Sequence, residues 1–493
     1  MQLQLPIMLS EIETIEVEDY TCPIPVLARV YTGEISVSPL PECRELSTDL
    51  AILVSPHEDV PIIPLVEQQI DLPLGHYDLD WLDQSPASLA YIARDGGHMV
   101  DEADATKYAY YKISESVHNQ IRDATSELHL LFVHATEHVL LNPTKYWHLF
   151  DFPADYWPMA LKSFEKKELS LAGRFDFSIS DRGVKCYEYN ADSASCLYEC
   201  GFMQDAFMKA CHLDEGIDGG AETASAVTAA WKSRFENAEI KNPVVHFMCD
   251  SSDTEELYHM EYMIQLAEAG GVVCKIISNL TGTKFSDEGY ILDRDGERIH
   301  HLWKTWSYTT LLSQLESQGP VRAAGDSVRL IDLCFSEHVG VIEPVWTAIT
   351  ANKAILPVLY ELFPLCPYLL ESSMKLTASL KKAAGYVTKP ISGRCGENVT
   401  LHINKPEEFD LAGPGFDEDD PEGILASDGR FDECPVVYQE LCPLIRINEA
   451  FIQINTFCAG GRYAGTVLRV DAFAIIGKES DSYPLRVVSD DMM

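Results

Sequence analysis

No run of about 18 apolar residues free of charge occurs in this sequence, so it offers no candidate for a membrane-crossing helix. The first residues, MQLQLPIMLSEIETIEVEDY, lack the basic-then-apolar order of a secretory leader. The 14 cysteines are scattered, without the CxxC pairs of a zinc module or the density of a disulfide scaffold. These absences predict a cytoplasmic protein with no membrane partner. Basic residues are also scarce: 37 Lys and Arg stand against 77 Asp and Glu, a formal net charge of −40. Binding to a phosphate backbone needs clustered cations, so nucleic acid is excluded as a partner. An acidic field favours a cationic amine ligand, although a solvated acidic surface alone accounts for the charge. There is no Walker A pattern and no internal repeat.

What is present is a chain of 493 residues, 46% of them hydrophobic, enough for three units of about 150 residues with a substantial core. Residues 1–104 carry short apolar β-type runs, PIPVLARVY and LAILVSP, and are expected to form a β-rich extension of unknown role. From about 105 the spacing turns helical, YKISESVHNQIRDATSELHLLFVHATEHVLL having apolar residues three and four apart. A strand–helix–strand unit follows. PVVHFMCD reads as a buried strand, Ser252 or Asp253 as the cap of a helix carrying Leu257, Met260, Ile264 and Ala267, and Gly270-Gly271 as its end before VVCKII. The acidic stretch 406–433 reads as a surface insertion or mobile loop.

The most informative segment is GRFDFSISDRGVKCYEYNADSAS, residues 173–195. Phe175, Phe177 and Ile179 alternate with polar residues, Asp181-Arg182-Gly183 supplies a turn, and a second alternating run ends at Asn190. A tight turn sets Asp176 opposite Glu188, with Asn190 on the face of Glu188, so three oxygen donors converge. Such a set suits Mg²⁺, a hard ion that shares its shell with nucleotide phosphates. Arg174, expected on the other face or at the strand end, is placed to neutralise a transferring phosphoryl group. Two lysines supply further point charges: Lys353, where a helix starts near Asn352, and Lys389, at the end of GYVTKP. The latter leads into ISGRCGEN, where Gly393 and Gly396 let the backbone approach a phosphate closely. Downstream, the backbone of Gln439, Glu440 and Leu441 is a candidate edge for adenine. FIQINTFCAGGRYAGTVLRVDAFAIIGKESD then reads as two strands about a glycine turn, carrying Gln453, Arg469 and Lys478.

Taken together, GRFDF, YEYNADSAS, EELYH, WKTW, EPVWTAITANKAILP, KPISGRCGEN, FIQINTF, GTVLRVDAF and KESD resemble, in order from about 105 to 490, the synthetase domain of glutathionylspermidine synthases. That family includes shorter bacterial paralogues with this domain alone. The resemblance implies magnesium ligation by Asp176, Glu188 and Asn190, and ATP or phosphate contacts from Arg174, Lys353, Lys389, Cys395, Gly396, Gln453 and Arg469. It implies a glutathione-like acid beside Ser193 and Thr310, and a polyamine beside Glu255, Glu256 and Asp481. The expected fold is mixed α/β: a permuted ATP-grasp, its metal ligands preceding its lysines, with a Rossmann-like pre-ATP-grasp unit. Residues 105–240 would hold the helical scaffold and metal hairpin, 241–340 the Rossmann-like unit, and 341–493 the nucleotide-binding lid and core.

Two departures accompany the resemblance. Bifunctional members carry an N-terminal Cys/His amidase of roughly 200 residues, but here Cys22, Cys43, His57 and His76 suggest no nucleophile pair, so no amidase activity is expected. The segment 406–433 is enlarged. The expected activity is ATP-dependent joining of a carboxylate to an amine through an acyl phosphate, with catalysis by Arg174, Lys353, Lys389 and Arg469. The same chemistry on another acid and amine, or nucleotide binding without turnover, are the alternatives. A homodimer is allowed, and a redox role for Cys196 is left open.

Overall fold

In the computed structural model, residues 65–71, 81–95, 107–180, 182–318, 328–409 and 423–493 are described. The alternating run predicted as a hairpin is one: Ala172–Ser180 pairs with Gly183–Asn190, Ser180 lying opposite Gly183. Gly183 has φ +80°, a conformation that favours glycine. The apolar residues of the first strand turn inward, and burial of Phe175 and Phe177 contributes about 1.5–3 kcal/mol each. Phe175 lies face to face with Tyr189 across the hairpin, ring centroids 3.8 Å apart. The Tyr189 ring in turn passes over Gly173, where a Cβ would come within 2.7 Å of it.

This hairpin supplies two strands of a six-stranded sheet. Ala450–Ala459 pairs antiparallel with Ala172–Ser180, setting Asn455 opposite Asp176, and Arg462–Asp471 and Asp481–Tyr483 follow outward. The helix Glu115–Leu141 supports the sheet from below. Ser114 caps it by accepting the Val117 N–H (3.3 Å), and Val117, Ile121, Leu128, Phe132 and Val139 form its buried stripe. Its buried hydroxyls are paired rather than wasted, Thr125 with Thr456 (2.7 Å) and Thr136 with Thr350 (2.8 Å).

A second sheet is wholly parallel, ordered Gly340–Ile342, His301–Lys304, Val244–Met248, Val273–Ile276. Between its last two strands runs the helix Thr254–Ala269. Of the two capping candidates Asp253 does the work, accepting the N–H groups of Glu255 (2.9 Å) and Glu256 (3.4 Å). Gly270 and Gly271 end the helix, Gly271 at φ +87°. The strand–helix–strand expectation is therefore met. Glu343, just past the Gly340–Ile342 strand, ties this sheet to the first: its carboxylate accepts from Ser170 Oγ (2.9 Å) and from the N–H groups of Leu171 (2.6 Å) and Ala172 (2.9 Å).

A third, antiparallel sheet runs Ser372–Ser373, Val436–Glu440, Gly385–Pro390, Thr400–Ile403, Ile424–Ala426. A fourth joins Leu65–Asp71, Lys107–Ser114, Leu485–Val488 and Ile217–Asp218. This fourth sheet differs from the sequence reading: YKIS belongs to a strand, and the helix starts only at Glu115. The described part of 1–104 also holds a helix, Pro86–Asp95, which a β-rich reading did not include. Its start follows from Ser85, whose hydroxyl accepts the Ser88 N–H (3.3 Å), and from Pro at the first helical position. PIPVLARVY, LAILVSP, Cys22, Cys43, His57 and His76 lie outside the described residues, as do Asp181 and residues 410–422 of the acidic stretch. No helix of the described residues is long and apolar enough to cross a membrane.

Candidate active site

The carboxyl ends of the parallel strands, one face of the six-stranded sheet and the inner face of the five-stranded sheet enclose a single cleft of about 1330 Å³. Ligands of α/β sheets bind at such strand ends. Every candidate residue read from the sequence lines this cleft, from Arg174 to Asp481, although they come from all three sheets.

Asp176 lies in register with Glu188, as expected, and Arg174 with Asn190. Arg174 does not take the opposite face. Residues two apart in a strand point the same way, and its Nε donates to Asp176 Oδ1 at 2.8 Å while Nη2 reaches Oδ2 at 3.3 Å. Its remaining nitrogen holds Ser195, at 3.0 Å from both O and Oγ. Burial works to raise the pKa of Asp176, but the charge and hydrogen bonds of Arg174 override it and hold the carboxyl below its ordinary range. Asn190 turns its Nδ2 to Asp176 Oδ2 (3.2 Å), which leaves its Oδ1 as an available donor to a cation. Two carboxylates and one amide oxygen fit a small hard cation that draws its other ligands from phosphate and water. Among the described residues no group of three His, Cys, Asp or Glu gathers as a metal cage, so this set depends on the Asn190 amide for its third oxygen.

The two lysines enter from the third sheet and its approach. Lys353 Nζ lies 3.1 Å from Glu188 Oε2 and donates to Gly393 O (2.8 Å). Lys389 Nζ donates to Gln439 Oε1 (2.8 Å) and sits 4.9 Å from the centre of the Tyr187 ring. Burial lowers the Lys389 pKa to about 8, with the Glu188 charge opposing the fall. The loop after it turns through Cys395 (φ +49°) and Gly396 (φ +69°); a Cβ on Gly396 would strike Ile476 O at 2.4 Å, so only glycine fits there. Arg394, on the same loop, donates to Ser193 Oγ (3.2 Å). Gln453 faces Arg469 across paired strands, while Lys478 lies beyond the strand Arg462–Asp471 rather than on it, exposed at the rim.

Part of the expected adenine edge is already engaged within the sheet. The N–H of Glu440 donates to Glu371 O (2.8 Å) and that of Leu441 to Gly385 O (3.1 Å), because the sheet's hydrogen bonding continues through these residues. Both donors are thus engaged, and the Gln439 side chain is committed to Lys389.

A second group of carboxylates lines the same cleft. Glu256 Oε2 accepts from the Asp250 N–H (2.8 Å) and Thr305 Oγ1 (2.6 Å). Glu199 Oε1 accepts from the Tyr258 hydroxyl (2.6 Å), and its Oε2 is buried with no hydrogen-bond partner. Burial raises the pKa of both carboxyls. Glu255 lines the cleft, as does Thr310, whose hydroxyl meets Ser307 Oγ (3.1 Å). Lys304, at a parallel strand end, donates to Trp306 O (2.6 Å), and burial lowers its pKa. Cys196 also faces the cleft, at φ +70°, and burial raises its thiol pKa, so it is a neutral thiol rather than an activated one.

Sequence reasoning passed over Tyr187, Glu199, Lys304, Arg394 and Asn455. Tyr187 reaches the cleft because the register moves from Asp176–Glu188 to Phe177–Cys186, leaving it as the extra residue of a β-bulge. Asn455 carried a signal, a second amide two residues after Gln453 and so on the same strand face of FIQINTF.

Residues 87–488 match the family model described as glutathionylspermidine synthase preATP-grasp. The bifunctional glutathionylspermidine synthetase/amidase of Escherichia coli (strain K12) is 36% identical over 425 residues, 84% of this chain and 64% of that protein. Trypanothione synthetase of Crithidia fasciculata is 32% identical over 422 residues, 83% of this chain and 61% of that one. The chain thus spans somewhat less than two thirds of the length of these two relatives. A putative acid–amine ligase of Haemophilus influenzae is 22% identical over 432 residues, 85% of this chain and 96% of that protein. Since the family match runs from the Pro86–Asp95 helix to the last strand and contains every cleft residue named above, this chain belongs to the glutathionylspermidine synthase preATP-grasp family.

Proposed function

We propose that the chain is an ATP-dependent carboxylate–amine ligase that forms an amide through an acyl phosphate, with a glutathione-like peptide as acid and a polyamine as amine. One observation carries this reading: a single cleft holds buried cations beside a carboxylate hairpin and, in addition, a second group of carboxylates. Arg174, Lys353, Lys389 and Arg469 outnumber Asp176 and Glu188, an excess of positive charge suited to a polyphosphate. Asp176, Glu188 and Asn190 would hold Mg²⁺, which when bound neutralises charge on the phosphates. The order of these ligands before the lysines in the chain is that of a permuted ATP-grasp.

The acid's carboxylate oxygen attacks the γ-phosphorus of ATP, ADP leaves, and an acyl phosphate forms. Arg174, Lys353 and Lys389 stabilise the charge that spreads over the phosphoryl oxygens and keep the reactants aligned. The ammonium of the amine, drawn by Glu199, Glu255, Glu256 and Asp481, must lose one proton before its nitrogen attacks the acyl carbon. Phosphate then leaves as the C–N bond forms. Ser193, Arg394 and Thr310 stand where the peptide would lie.

Glutathione and spermidine come from the names of the relatives. The Haemophilus protein, which this chain spans almost end to end, is named only as an acid–amine ligase, and that favours a second reading with the same chemistry on other substrates. The test is ADP release with ATP, Mg²⁺, glutathione and a panel of polyamines, with products weighed. Asp176→Ala and Glu188→Ala are each expected to lower the rate at least 100-fold. Unchanged ADP formation in both variants would refute the assignment.

A further inference from the structure

Asn455 lies in the middle of Ala450–Ala459, fully buried, in register with Asp176. Its Nδ2 donates to Asp176 Oδ1 (2.6 Å) and to Gln453 Oε1 (3.1 Å). Both partners are acceptors, so the orientation of the amide is fixed by chemistry: turned over, it would press its oxygen against a carboxylate. The consequence is that its Oδ1 is buried without a hydrogen-bond partner. A buried acceptor with no donor destabilises a fold, and an apolar side chain of the same shape would remove that penalty. Phe457, two residues on along the strand and fully buried, shows that an apolar side chain is accommodated on this face.

We infer that Asn455 is a positioning residue for the cation and phosphate site. It stands behind the cleft wall and acts through two residues that line it. Its N–H₂ occupies one side of Asp176 Oδ1, fixing the carboxylate against rotation, and the same group fixes the Gln453 amide. The inference rests on the reading of Asp176 as a cation ligand.

Replacing Asn455 with Leu keeps the heavy-atom count and branching while adding some volume, removes both hydrogen bonds and removes the orphan oxygen. The full chain is titrated with Mn²⁺ in the presence of ADP, following the free-ion EPR signal, and thermal unfolding is recorded without metal or nucleotide. Asn455→Leu is expected to weaken Mn²⁺ retention 10- to 100-fold, the range typical of outer-shell changes, with the thermal midpoint little changed because loss of the orphan oxygen offsets loss of the hydrogen bonds. Asn455→Thr, which suits a strand, is expected to move retention in the same direction and covers failure of the Leu variant to fold. Unchanged retention in a folded variant overturns the inference, as does a loss that only accompanies a lower thermal midpoint. If the unaltered chain itself fails to retain Mn²⁺, the ligand reading of Asp176 falls, and this inference with it.

Discussion

Lys389 combines two demands that oppose each other: it must be buried to sit on the strand end beside Gln439, and charged to meet a phosphate. Burial has brought its pKa to about 8, below the ordinary 10.5. An anionic nucleotide binds the protonated form, so above about pH 8 the free protein must take up a proton on binding. Nucleotide affinity is therefore expected to be level below pH 7.5 and to weaken as pH rises beyond 8, by at most about tenfold per unit. A fluorescent-nucleotide titration from pH 6.5 to 9.5 checks this, and Lys389→Arg, which stays charged, should flatten the curve. A wild-type profile as flat as that of the Arg variant would contradict the assignment. Lys389, Asp176 and Glu188 were legible in the sequence because each sits at the end or on one face of a clear alternating run. Tyr187 was not, because a bulge shifts the period by one residue and no local pattern announces it.

At the scale of elements, the hairpin is the part whose geometry the chemistry depends on most. Gly173 matters to it because the Tyr189 ring lies on its Cα, held by Phe175 on one face and by its hydroxyl against His129 Nδ1 (3.1 Å). With the ring so confined, Gly173→Ala is expected to cost about 1–3 kcal/mol, seen as a lower thermal midpoint. An unchanged midpoint would show that the ring can give way. The hairpin and the strand–helix–strand unit were readable because their partners are adjacent in sequence and their periods are clean. The strand Lys107–Ser114 was not, since of its two partners in the fourth sheet Leu65–Asp71 lies about 40 residues earlier and Leu485–Val488 at the other end of the chain. The same reason hides the engagement of the Glu440 and Leu441 N–H groups, whose acceptors are Glu371 and Gly385.

Across the whole molecule the charge distribution is divided against itself in a useful way. The chain carries a formal −40, a field that repels ATP and a peptide acid while drawing a polyamine. The buried cluster of Arg174, Lys353 and Lys389 is the local exception, and it lies beside the strand that carries Asp176. On the proposed function, a nucleotide would be held by short-range contacts, and an amine would be collected by the long-range field and by Glu199, Glu255 and Glu256. Glutathione labelled with ¹⁸O in its carboxylates, incubated with the full chain, ATP, Mg²⁺ and the polyamine panel, tests the central claim most directly. The account predicts one ¹⁸O in the released phosphate, ADP as the nucleotide product, and an amide whose mass equals the two substrates less water. Release of AMP and pyrophosphate, or an amide formed with unlabelled phosphate, would contradict it.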